Sequence, residues 1–490
     1  MRARSKLVVE PLFGDIELAH WPDFGLSRRL PKFESSGHGT YNHRMTSSGT
    51  QSAGYIALLR ENRGFARLWT GQVVSQTGDW FNSVALFTLL LNLTGSGEAV
   101  AYVLILKLLP AFFVGPLAGV VADRFNRKAI MIVADVARGV LVLGFLFIHR
   151  PEQVWIVYVL AALQVIGATF FDPAKSAAIP SIVSRDRLIA ANALSGASWS
   201  VTLALGAALG GIVTDTLGRD AAFILDSASF FISALFIWAV RFERSEYRSN
   251  SADLAAGKRP FSLARATGLT DLLEGARYLK ANMGVTTLLT VKSGWGLGGG
   301  VLLLLTIFGR SVFPLGRDGG ASIGLLYAAR GLGALIGPLF TRWITDGSPR
   351  SMRRAISISF FLSAVFYVLF AKAPWLGLAM FFVVGAHAGG AIQWVFSTTL
   401  LQLSVPNRFL GRVFSLELAL VTLTMSLSTY VTGWALDHAA ISPRQVAMML
   451  GMAFLIPGSY WVLILRRMSR FESAATKIDA DHLEASYPPA

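Results

Sequence analysis

The stretch GPLAGVVADRFNRKAIMIVADVAR, Gly115 to Arg138, decides the fold. It starts inside one apolar run and ends inside another, with the charged knot Asp123-Arg124-Phe125-Asn126-Arg127-Lys128 between them. Each run is long enough to cross a bilayer, and so short a loop makes the two crossings antiparallel neighbours. Gly115 and Gly119 form a small-xxx-small pair, a spacing that lets helix backbones approach closely in lipid. Asp123 ends the same face, next to Arg124.

Working outward, the composition agrees with a membrane chain. Of 490 residues 53% are hydrophobic and only 15% charged, well below the roughly 25% charged usual for soluble domains. Mean hydropathy is +0.53. The net charge of +15 raises nucleic acid as a partner, but the basic residues sit between apolar runs. That placement favours the positive-inside pattern of a membrane protein over a nucleic-acid-binding face, so no nucleic-acid partner is expected. There are no cysteines, hence no disulfide, thiolate metal site or cysteine nucleophile. No segment between runs is long enough to bury a soluble core of its own.

Residues 1–65 are polar and lack the apolar core of a signal peptide. They read as cytoplasmic sequence without a packed core. Met45 precedes a length typical of a transporter N-terminus, so the expected natural start is Met45, with 1–44 not native. Apolar runs of about 20 residues follow at 69–92, 98–121, 128–148, 153–172, 192–214 and 221–241, and again at 285–308, 319–341, 354–372, 375–397, 412–436 and 446–466. Backbone groups in lipid must bond within their own segment, so these are helices. The expected organisation is a six-helix bundle over 66–241, a linker over 242–284, a second bundle over 285–467 and a tail over 468–490. Connections alternate between basic and sparse, which places both termini in the cytoplasm. Within the linker, Leu272, Leu273, Ala276 and Leu279 share a helical face. They mark either an amphipathic helix on the membrane surface or an extension of the seventh span. The halves echo each other: Gly115-Pro116-Leu117 is matched by Gly337-Pro338-Leu339, as in transporters built from repeats.

The spacing Gly119, Asp123, Arg124, Arg127, Lys128 resembles the G-x-x-x-D-R-x-G-R-K loop of the major facilitator superfamily. Asn126 stands where that pattern has Gly, a mild departure because Asn tolerates the left-handed backbone. RLWTGQVVSQTGDW (67–80), PAKSAAIPSIVSRDRLIAANAL (173–194) and VPNRFLGRVFSL (405–416) are similar, more narrowly, to the branch holding the enterobactin exporter and macrolide efflux proteins. The resemblance implies an all-α integral membrane protein of twelve transmembrane helices in two pseudo-symmetric bundles, with spans one, four, seven and ten around a cavity. It implies proton-linked export of a small, often amphipathic molecule from a bacterial cytoplasm, by a monomer in the inner membrane. Asp123 is then expected to pair with the opposite half, with Arg124, Arg127 and Lys128 facing lipid headgroups and local carboxylates.

Charges inside spans are expensive unless paired or wet, and so mark function. Asp79 lies in the first span and Glu417 in the eleventh, followed as candidates by Asp226 in the sixth. A proton-driven carrier needs a carboxylate that gains and loses a proton in turn, and Asp79 ranks first for that role. Asp135 and Arg138, three apart in the third span, share a face and can pair. Asp135 therefore ranks lower, since Arg138 is near enough to neutralise it. Lys107 and Lys292 lie in spans two and seven. Gln164, Arg330, His387 and Gln393 are candidate cavity residues. No nucleotide loop, metal-ligand spacing or nucleophile elbow appears, so neither a cofactor nor an enzyme is expected. The GWGLGGG at 294–300 reads as flexibility or tight helix contact. Rival readings are an importer or lipid flippase on the same fold, or a membrane sensor that does not transport.

Because the chain contains no cysteine, topology can be read directly. A cysteine placed at 95 should react with an impermeant maleimide added outside intact cells, and one at 126 only after the inside is exposed. Outside labelling at 126 inverts the topology.

Overall fold

Lipid leaves helices as the way for these runs to satisfy their backbones, and helices are what form. The computed structural model describes residues 48–184, 187–242, 269–316 and 318–467. The expectations placed on 1–44, the first part of the linker and the tail lie outside those residues, as does the side chain of Asp123.

The first six crossing segments are Arg63–Thr94, a broken second made of Gly97–Leu106 and Leu109–Arg124, then Arg127–Leu143, Val154–Ala178, Leu188–Thr216 and Arg219–Trp238. The seventh is also broken, into Met283–Gly296 and Val301–Ile307. Gly320–Ile344, Pro349–Lys372, Leu376–Ser404 and Asn407–His438 follow, and Pro443–Arg467 completes the set. Among the described residues eleven of these are long and apolar enough to span a membrane. The first has the length, at 32 residues, but not the apolarity. Its Gln72, Ser75, Asn82 and Ser83 are buried because the fifth and sixth helices pack along it. A helix shielded by its neighbours has no need of an apolar surface.

Within the first bundle the third helix packs between the fourth and sixth. In the second bundle the tenth helix packs against the eighth and ninth, and the seventh against the eleventh. The glycines of 294–300 serve contact. A Cβ on Gly299 would meet the Met425 backbone, with the Cα at 2.7 Å. Ser428 stitches the broken turn there, its Oγ donating to the Leu297 carbonyl at 2.5 Å and accepting from the Gly300 amide at 3.2 Å. The linker helix, Leu269–Ala281, ends at Asn282 and is separate from the seventh span. It docks on the eleventh helix: Tyr278 stacks on Phe409 with centroids 4.5 Å apart, and Arg412 bonds Glu274 at 2.9 Å.

Two seams join the bundles, the fifth helix against the eighth and the second against the eleventh. In the first seam backbones touch: a Cβ on Gly324 would meet the Ala207 carbonyl and stand 2.8 Å from the Gly211 Cα. In the second, Asp437 accepts from the Gly97 amide at 2.9 Å, the Glu98 amide at 2.9 Å and the Ser96 hydroxyl at 2.5 Å. A carboxylate from one half thus caps a helix N-terminus of the other, where charge and dipole agree. Nearby, Asn92 donates to Asp318 at 3.1 Å. The Arg310 bond to Asp318 holds that carboxyl below the usual carboxylate range. These contacts seal the end opposite the Asp123 loop.

Gly115 and Gly119 correct an expectation. A Cβ on either would have nothing within 4 Å, so their face makes no close helix contact in this state. The seams tighten at the other end of the molecule and leave this face open. Gly324→Val should therefore lower the thermal midpoint in detergent, by an amount equivalent to about 1–3 kcal/mol of overpacking. Gly115→Ala should leave it equal or slightly raised. Equal midpoints for both variants would contradict the packing described.

Candidate functional site

The charges that sequence scatters over seven spans gather into clusters within each bundle. In the first, Arg138 reaches from the third helix to Asp79 on the first, its Nη2 2.8 and 3.0 Å from the two carboxylate oxygens. The Asp135 contact, three residues back on the same helix, is longer at 3.8 Å. The Phe230 ring of the sixth helix lies under the guanidinium at 4.1 Å. Gly167 of the fourth helix leaves room for its stem, since a Cβ there would stand 2.9 Å from the Arg138 Cγ. Asp226 closes the group from the sixth helix, one oxygen tight against Gly78. The exposures differ sharply. The Asp79 side chain is 39% accessible, whereas Asp135 and Asp226 are at 0%. Both Asp135 oxygens and one Asp226 oxygen lack a hydrogen bond. Sequence spacing finds the near pair on one helix; the shorter bond, between helices, leaves no trace in spacing. The reason given for ranking Asp135 below Asp79, a neighbouring Arg138, applies to Asp79 more strongly.

Lys107 is the second cation of this bundle. It sits at the break in the second span and donates to the Ser83 hydroxyl at 2.7 Å. Gln164 is nearly buried and accepts from Asn82 at 3.3 Å, joining the fourth helix to the first.

In the second bundle Glu417 is not among purely apolar or small residues. Lys292 of the seventh helix bonds it at 2.6 Å, donates to Thr398 at 2.9 Å and lies 4.5 Å from the Trp394 ring centre. Arg330 and His387 also meet: Arg330 Nε donates to His387 Nε2 at 3.1 Å, and His387 Nδ1 lies 2.9 Å from the Tyr367 hydroxyl. Gln393 is 0% exposed and lines no open space in this state. Nothing in the sequence marks Tyr367 as a partner, because an isolated tyrosine in an apolar span looks like packing.

Two cations of the loop motif bind helix ends. Lys128 donates to the Trp238 and Val240 carbonyls at 2.6 and 2.8 Å, and Arg127 to the Ala177 carbonyl at 2.8 Å. These cations cap the C-termini of the sixth and fourth helices, where the dipole is negative. Arg124 is exposed. Asn126 is not left-handed: at φ −64° it is the N-cap of the third helix, its side chain accepting from the Ala129 amide at 3.1 Å. The residue at the Gly position of the loop pattern is thus used as a cap. Among the described residues no His/Asp/Glu group has the geometry of a metal site.

The Major Facilitator Superfamily profile matches residues 68–427. The uncharacterized MFS-type transporter YfiS of Bacillus subtilis (strain 168) is 26% identical over 426 residues, 83% of this chain and 93% of its own. Macrolide efflux protein A of Streptococcus pyogenes is 25% identical over 389 residues, 77% of this chain and 90% of its own. Among solved structures, the nucleoside transporter NupG aligns with a TM-score of 0.63 at 13% identity, covering 81% of this chain and 99% of that one. At that identity the likeness concerns the fold.

The Lys292–Glu417 pair gives a direct test of the second cluster. Lys292→Met strands a buried carboxylate and should destabilise the protein by about 3–5 kcal/mol. The double variant with Glu417→Met should recover most of that loss. A thermal double-mutant cycle in detergent measures the coupling, and additive single effects would refute it.

Proposed function

The chain belongs to the Major Facilitator Superfamily, and on that premise we propose that it is a proton-coupled exporter of a small amphipathic molecule, working by alternating access as a monomer in a bacterial cytoplasmic membrane. Its relatives are transporters, and one is a macrolide efflux protein. The observation that carries the coupling is the first-bundle cluster: Asp79 and Asp135 within 4 Å of the Arg138 guanidinium, with the buried Asp226 of the sixth helix in the same group.

The three acids outnumber the two cations of the bundle, Arg138 and Lys107, and Asp79 and Asp135 both contact Arg138. Asp79 is the accessible one and holds Arg138 in this state. A proton arriving on Asp79 removes its charge and frees the guanidinium for Asp135, already 3.8 Å away, and for Asp226 beyond it. Loss of the Asp79 bond releases the third helix from the first, and a new bond to Asp226 would draw it toward the sixth, so protonation acts on helix positions within one bundle. A carboxylate bound to arginine when charged, and released when neutral, has the differential interaction that a switch requires. Lys292–Glu417 is the matching fixed pair of the other bundle.

The seal at the Asp437 end and the open face of Gly115 and Gly119 fit one of the two states of such a cycle. In the other state the Asp437 cap breaks, and the glycine face is where the second helix gains its close neighbour. The termini and the Asp123 loop lie on the cytoplasmic side in this reading, with Asp123 contributing to the gate there.

Asp79→Asn removes the titratable group while keeping its size and its place beside Arg138. The variant should lose efflux against a gradient yet keep downhill exchange, both measured in proteoliposomes with a pH jump. The substrate would come first from metabolites and dyes retained by a deletion strain and expelled on complementation. If Asp79→Asn still concentrates substrate with the normal pH dependence, Asp79 is structural and coupling passes to Glu417 or Asp226.

A further inference from the structure

The charges within the spans do not balance evenly between the bundles. The first bundle holds Asp79, Asp135 and Asp226 against Arg138 and Lys107, leaving one carboxylate in excess. The second holds Glu417 against Lys292 and Arg330, and Lys292 occupies Glu417 at 2.6 Å. Arg330 is left over. Among the described residues no carboxylate lies within ion-pair distance of it, and its one protein hydrogen bond is the Nε donation to His387.

We propose that Arg330 is the recognition residue for an oxyanion, a carboxylate or phosphate group, on the transported molecule. This rests on the reading of the chain as a small-molecule exporter and adds the chemical class of its substrate.

Position supports it first. Arg330 lies midway along the eighth helix, Gly320–Ile344. Its guanidinium carbon is 5.9 Å from the centre of the Trp199 ring, which belongs to the fifth helix and hence to the other bundle. The group therefore stands at the seam that opens and closes during transport. Alongside is a cavity of about 20 Å³, lined by Arg330, His387 and Tyr367 and by the apolar Trp295, Met425 and Phe454. A space that small holds about one water, so an oxyanion would take its place beside Arg330 as the seam opens, with the rest of the molecule lying in the seam.

Orientation supports it next. An arginine Nε–H only donates, so His387 Nε2 accepts, and a neutral imidazole then carries its proton on Nδ1, facing the Tyr367 hydroxyl at 2.9 Å. His387 is 8% exposed and Tyr367 5%, so this chain is fixed by packing. It clamps one edge of the guanidinium and leaves both terminal nitrogens, the fork that matches an oxyanion in two parallel hydrogen bonds. Arg330 is half-buried, not sealed, so an oxyanion can reach those nitrogens. A cation held in a half-buried site without a counter-ion is costly, and an incoming oxyanion removes that cost.

The test measures ligand-dependent thermal midpoints of the purified full chain in detergent. The probes are indole-3-acetate, 4-phenylbutyrate and phenyl phosphate, with indole-3-acetamide as the neutral counterpart and 4-phenylbutylamine as the cationic one. Oxyanions should stabilise the wild type, and the amide and amine should not. Arg330→Gln should weaken the apparent affinity about ten- to hundredfold, the loss expected for a charge-assisted hydrogen bond. Arg330→Lys, which keeps the charge but not the fork, should fall between, and serves if Arg330→Gln does not fold. A response confined to phenyl phosphate would assign the phosphate class. The proposal is overturned if no oxyanion stabilises the wild type, if both variants respond as the wild type does, or if the amine is preferred. Oxyanion binding through Arg330 without efflux from cells would instead count against the export reading alone.

Discussion

The guanidinium of Arg138 is the one group on which most of the first bundle depends. It is carried by the third helix, bonded to Asp79 on the first, laid over Phe230 of the sixth and given room by Gly167 of the fourth. Four helices therefore meet at one cation. Its removal would strand buried carboxylates, which is far more costly than losing a surface pair. Its geometry also makes it a divider: it stands between Asp79 and Asp135 and holds the first more closely.

The second bundle solves the same problem differently. Lys292 and Glu417 form a one-to-one pair, further held by Thr398 and the Trp394 face. Among the described residues no second acid competes for Lys292, so the pair resists change. The bundles are alike in helix arrangement and unlike in charge, so the pseudo-repeat of the fold does not extend to its chemistry. One half keeps a surplus acid and the other a surplus base.

Around these clusters the rest of the architecture governs approach between helices. Glycines at 211, 299 and 324 let backbones meet where a side chain would hold them apart, and Asp437 closes a helix N-terminus across the seam. Ser428 repairs the backbone where the seventh helix breaks. These are local answers to one constraint: lipid supplies no hydrogen bonds, so every freed polar group needs a protein partner.

The sequence by itself determined the fold class, because apolar runs near 20 residues and the alternation of basic and sparse loops follow from bilayer thickness and membrane charge. It also marked Asp79, Asp135, Arg138, Glu417, Arg330 and His387, since a charge within a span is visible in one dimension. The first helix was legible by position more than by hydropathy, its polar face being shielded by neighbours. Which charges pair was decided by tertiary structure. Asp79 and Arg138 are 59 residues apart, and Lys292 and Glu417 are 125 apart; contacts so distant depend on how helices pack and rotate. The same holds for Asn126 acting as a cap, for Lys128 binding helix carbonyls and for Gly115 and Gly119 standing open. A pattern of residue types fixes what a side chain can do, and only packing decides which neighbour it does it to.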